Sequence, residues 1–145
     1  MSHFYPDDAA IARLGNAFLD RTLPKAEWTH AAHFATTLWL IAARPEIVAE
    51  RDMPALIRAY NASVGGVNDD HTGYHETITQ ASIRAARAFL VERPHDEPLH
   101  EAVDALMAGP LGRSDWPLAY WTRERLFSVE ARRGWIAPDL PAFPF

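Results

Sequence analysis

Two histidines three residues apart stand in the run Trp28-Thr29-His30-Ala31-Ala32-His33, and a third follows in Gly73-Tyr74-His75-Glu76. Imidazoles at that spacing on a helix lie one turn from each other on one face and can reach the same divalent ion. A histidine from another element then completes the donor set that zinc and related metals take. On these grounds His30, His33 and His75 are expected to hold a divalent metal ion, with zinc, iron, manganese and nickel all compatible with such donors. The chain has no cysteine, so thiolate sites and disulfides are excluded and only His, Asp and Glu are left as strong ligands. A metal held this way activates water or polarises a bound substrate, which points to hydrolysis.

Around the three histidines stand the residues that chemistry would recruit. His71, four residues ahead of His75, and Glu76, directly after it, are the catalytic candidates, able to orient a ligand or act as a base. Tyr74 and Arg123 are candidates for contacting substrate, Arg123 through an anionic group. Each has a plainer reading beside it. Histidines are often simply hydrogen-bonded. Glu76 falls at the third helical position if Gly73 lies near the N-cap, where a carboxylate bonds free amides and favours the dipole. Arg123 and Arg125 can pair with Glu124 or Glu130 on the surface. The run His75-Glu76-Thr77-Ile78-Thr79 is no zincin motif, because Thr79 stands where that motif needs its second histidine.

The elements that must position these groups are helices. Asp7 or Asp8 after Pro6 caps a first helix to about Leu19, and Thr22-Leu23-Pro24 breaks the chain before a second from Trp28 to Arg44. Asp52 and Pro54 open a third, ended by Gly65-Gly66, and the polar loop from Asn68 to Gly73 leads into a fourth, Tyr74 to Glu92. A fifth covers Pro98 to Ala108. Ser114 or Asp115 starts a last helical region, broken near Ser128, and Trp135 to Phe145 is a proline-rich apolar tail expected to pack back on the body. Nothing alternates as a strand would.

The second helix shows a wide apolar arc and, opposite it, Thr29, His30, His33, Thr36, Thr37 and, at its end, Arg44, the first full charge on that side, with Leu40 as an apolar intruder. A solvated face normally carries full charges, so a face of Thr and His alone implies contact with something polar but shielded. The fourth helix carries His75, Thr79 and Ser82 beside its own inward arc, with Glu76, Gln80, Arg84 and Arg87 directed to water. The two stripes are expected to face one another across a small polar pocket.

Composition bounds the rest. With 145 residues, 48% apolar and 23% charged, the chain reads as one domain over 1–145. A net charge of -5 argues against a nucleic-acid partner. The apolar stretch from Ala31 to Ala43 is too short to span a bilayer, and the N-terminus lacks a secretion signal, so a cytoplasmic location is the default expectation. The fold expected is all-α: a single-domain bundle of about five to six helices with an extended proline-rich C-terminal tail.

The motifs Trp28-Thr29-His30-Ala31-Ala32-His33, Gly73-Tyr74-His75-Glu76-Thr77-Ile78-Thr79 and Tyr120-Trp121-Thr122-Arg123-Glu124-Arg125-Leu126-Phe127-Ser128 together resemble a group of small bacterial proteins of uncharacterised activity. The resemblance spans about Trp28 to Leu140 and implies that these segments belong together; it brings no activity with it. The expectation is therefore a small metal-dependent enzyme, hydrolytic in class, acting on a small-molecule substrate. The alternative is a non-catalytic module that binds a small ligand or a partner protein, its histidines hydrogen-bonded as part of the structure.

Overall fold

The structure, a computed structural model, describes residues 4–141 and 143–145, and among these it is all-helical with no strand. Five helices form the body: α1 (Asp8–Asp20), α2 (His30–Ala43), α3 (Ala49–Ser63), α4 (Glu76–Val91) and α5 (Leu99–Ala108). The last helical region is two short helices, α6 (Arg123–Leu126) and α7 (Val129–Arg133), broken at Ser128, whose hydroxyl caps α7. None of the helices is long and apolar enough to cross a membrane.

The centre is α2. Thr29 starts it by accepting the Ala32 amide on its hydroxyl, so Trp28 lies just outside the helix rather than within it. From Phe34 to Leu40 every residue is buried, Thr36 and Thr37 included. A helix buried all round has no solvent face. The polar side expected for α2 is therefore confined to its first two turns, and Leu40 is core, not an intruder. The helix packs against α1, α3, α4 and α5. Its closest approach is to α1, where a Cβ on Gly15 would fall 2.2 Å from the Trp39 ring, so the pairing depends on glycine there.

Helix α3 begins at Ala49, earlier than Asp52 and Pro54 imply, because the Asp52 carboxylate reaches back to the Val48 amide and holds the first turn. Pro54 then sits inside the helix and lacks the N–H that would bond to the Glu50 carbonyl. That carbonyl accepts instead from the Gln80 side-chain amide of α4 at 3.0 Å. The Glu50 carboxylate takes both arms of Arg87, also on α4, with Nη2 to Oε1 at 2.7 Å. One residue of α3 thus pins α4 twice.

At the C-terminal end, the Trp121 indole donates to the Ile136 carbonyl, the Leu140 amide donates to the Tyr120 carbonyl, and Phe143 packs against Trp121 at 5.2 Å between ring centroids. Replacing Gln80 by Ala is expected to destabilise the fold by about 1 kcal/mol. The same change made on top of Pro54→Ala is expected to cost measurably less, since losing the proline ring restores a backbone N–H for the Glu50 carbonyl. Urea denaturation of the four proteins in this double-mutant cycle is the check, and equal costs in both backgrounds would refute the role assigned to Gln80.

Candidate functional site

His30 and His33 occupy the first turn of α2, where the helix is not yet enclosed. With Thr37 they form one wall of a cavity of about 100 Å³ whose other walls are Ile78, Thr79 and Ser82 of α4, Met53 and Ile57 of α3, and Trp116. The polar stripes of α2 and α4 meet there. Among the described residues no Asp, Glu, Lys or Arg lines this chamber. A second recess of about 450 Å³, bordered by Lys25, Tyr74, His75 and the 66–73 loop, shares five residues with it: Trp28, His33, Ile57, Ile78 and Thr79. His33 therefore stands where the inner chamber and the outer recess adjoin.

The three histidines differ in what their ring nitrogens do. His30 Nε2 lies 2.8 Å from the Leu111 carbonyl oxygen, which can only accept, so that nitrogen carries the hydrogen. His75 is the N-cap of α4: its Nδ1 accepts the Ile78 amide at 3.1 Å, and its Nε2, which must then be protonated, donates to the Leu126 carbonyl at 2.6 Å. Both nitrogens of His75 are engaged. His33 packs its ring on Trp28, with centroids 4.0 Å apart, and its ring makes no hydrogen bond among the described residues.

The donor set expected for a metal is not assembled. His75 cannot offer a lone pair without giving up its cap, and it lines the outer recess rather than the chamber walled by His30 and His33. Among the described residues no group of three or more His, Asp or Glu side chains is placed to hold a metal ion.

The remaining candidates fall as follows. Glu76 is the first residue of α4 rather than the third, because the cap is His75 and not Gly73; its carboxylate accepts from the Tyr74 hydroxyl. Gly73 serves the turn instead. It has φ +80°, and a Cβ there would meet the Val67 carbonyl oxygen at 2.2 Å. Tyr74 is buried, with the Arg58 guanidinium 4.4 Å over its ring, and borders the outer recess. Burial, with the Glu76 carboxylate, raises the Tyr74 phenol well above its ordinary range, so it stays a donor. His71 is exposed in a loop whose turn is made by Asp69 accepting the amides of His71 and Thr72; it borders neither recess. Arg123 is exposed at the start of α6, set over Phe127, and also borders neither.

Thr37 and Ser82 of the site stand in the polar stripes that the sequence shows on the second and fourth helices. Ser82 and Thr37 donate to carbonyls of their own helices, Ile78 and His33, so they turn lone pairs rather than protons outward. Their helical register with the histidines was the available signal. Lys25 had none; a short 3-10 turn, Lys25–Glu27, carries it to the rim of the outer recess.

Electrostatically, His33 is held neutral. The residue is solvent-exposed, but desolvation of its ring by the atoms crowded around it, and then the neighbouring His30, lower its pKa to about 4 from 6.5. Burial also lowers His75, reinforced by Arg132 and opposed by the Leu126 carbonyl. Compared with models of known protein families, with curated proteins and with solved structures, the chain matches none of them.

Two outcomes follow. Both imidazoles are harder to protonate folded than unfolded, so the unfolded chain takes up their protons first as pH falls. Stability from this source is whole above about 6.5 and is lost as pH drops toward about 4. NMR titration should place the His33 midpoint well below 6.5, and His33→Phe should flatten the acid limb of the stability profile. Separately, His75→Ala should cost about 2–3 kcal/mol, from a lost cap and an orphaned carbonyl. His75→Asn should recover about 1 kcal/mol of that, since Asn caps as well. Equal losses for the two variants in chemical denaturation would contradict the capping role.

Proposed function

We propose that the protein binds a small organic molecule between α2, α3 and α4, with His33 as its polar anchor. The observation that carries this reading is the His33 imidazole, which makes no hydrogen bond among the described residues and stands between two adjoining recesses. A neutral imidazole offers one donor and one acceptor. Trp28 gives it a fixed orientation, and Met53, Ile57 and Ile78 provide apolar walls, the usual composition of a small-molecule site. Thr37 and Ser82 spend their hydroxyl protons on their own helices, so they offer a ligand in the chamber no donor.

Binding is better supported than hydrolysis. Strong general-base catalysis wants a group whose pKa lies near the working pH, and His33 is held far below that. A metal-dependent hydrolase would need a third ligand beside His30 and His33, and His75 is committed to α4 and Leu126. A larger groove of about 640 Å³ between Leu111, Trp116, Tyr120 and Phe145 has no histidine in its lining.

A fragment screen read by amide and indole NMR shifts tests the proposal. Hits are expected to move the Trp28 indole and the amides around Thr37, Thr79 and Ser82. His33→Phe keeps a ring against Trp28 but has no nitrogen, and should weaken those hits by up to about tenfold, the worth of one hydrogen bond. Hits that bind His33→Phe equally well would remove the anchor, and a screen without shifts at the cavity would remove the site. Zinc retained stoichiometrically after gel filtration, and lost in both His30→Ala and His33→Ala, would restore the metal-dependent reading.

A further inference from the structure

We infer that the ligand of this site is an anion with a slim apolar body, its carboxylate or equivalent group lying in the outer recess toward Lys25. The inference rests on the binding role proposed for the His33 cavity and assigns the chemical class of what binds. Among the described residues bordering the inner chamber and the outer recess, Lys25 carries the single full charge. In a chain with net charge -5, a cavity system whose only formal charge is positive is set apart from the surface around it. Lys25 is exposed and makes no ion pair or hydrogen bond through its side chain among the described residues, so its ammonium is free to meet a ligand.

The two recesses divide such a ligand between them. The inner chamber, about 100 Å³ with no formal charge, is smaller than the roughly 150 Å³ apolar cavity known to admit benzene. It suits a short alkyl chain better than a ring. The outer recess, about 450 Å³, is open enough to hold a hydrated head group beside Lys25. His33 borders both and can donate its N–H to the head group while its ring contacts the chain, so the same residue reads the join between the charged and apolar parts.

The test is a matched series, hexanoate, hexanamide and hexylamine, titrated at neutral pH into the whole protein and followed by NMR shifts at the cavity and by calorimetry. The acid should bind about threefold to tenfold more tightly than the amide, with the amine weakest, and added salt should narrow the gap. Lys25→Met should bring acid and amide to equal affinity without changing the amide, and Lys25→Arg should keep the preference. Lys25 lies on an exposed turn with no side-chain hydrogen bond or ion pair to lose, so both variants should fold as the parent does. Equal binding of acid and amide in the parent, or a preference that survives Lys25→Met, overturns the anion and leaves the His33 site standing. No binding by any of the three, with the cavity resonances unmoved, overturns both.

Discussion

Burial of α2 over most of its circumference is the constraint on which the rest of the structure depends. A helix enclosed by α1, α3, α4 and α5 needs apolar or internally satisfied side chains on every face. Ala31, Ala32 and Ala35 let neighbours approach, Phe34, Leu38, Trp39 and Leu40 fill the space between, and Thr37 returns its proton to the His33 carbonyl. The Thr36 hydroxyl alone among the buried side-chain polar atoms described has no partner, a cost of about 1–3 kcal/mol that the surrounding packing must offset. Both ends of α2 escape enclosure, Ala42 and Ala43 at one and the first turn at the other, and in that first turn the helix presents His30 and His33. The site exists because the central helix emerges from the core at that end.

The opposite wall is positioned by bonds to backbone rather than by packing alone. His75 closes the N-terminus of α4 and ties it to Leu126. Thr77 donates to the Gly134 carbonyl and accepts the Ile136 amide, and Arg132 donates to the Gly73 carbonyl. At the middle of α4, Gln80 and Arg87 fasten it to Glu50 of α3. These bonds fix the rotation of α4 about its axis, and so decide that Thr79 and Ser82 face the chamber. A histidine that looked like a ligand is in this way part of the frame that makes the ligand's space.

The binding role proposed for that space rests on its lining. Among the described residues no full charge lines the inner chamber, and desolvation and the neighbouring His30 both oppose protonation of His33. A neutral anchor loses less solvation on binding than a charged one, and it keeps both a donor and an acceptor available. Lys25, the one cation among the described lining residues, stands at the rim, where water screens it.

Local chemistry alone determined a good deal. The helix break at Pro24, the end of α3 at Gly65-Gly66, the all-helical class and the unusual lack of charge beside His30, His33, Thr79 and Ser82 follow from proline geometry, glycine freedom and helical periodicity, which act over a few residues. What tertiary structure decided was the use of each group. Whether His75 ligates, caps or catalyses depends on the Ile78 amide and the Leu126 carbonyl, the second of which lies fifty-one residues away. Whether Leu40 intrudes on a polar face depends on α2 being central, which its own spacing cannot reveal. Periodicity states which residues share a side of a helix; only the packing of one helix on another sets what that side meets, because the energy of a polar group is fixed by its partner and not by its place in the chain.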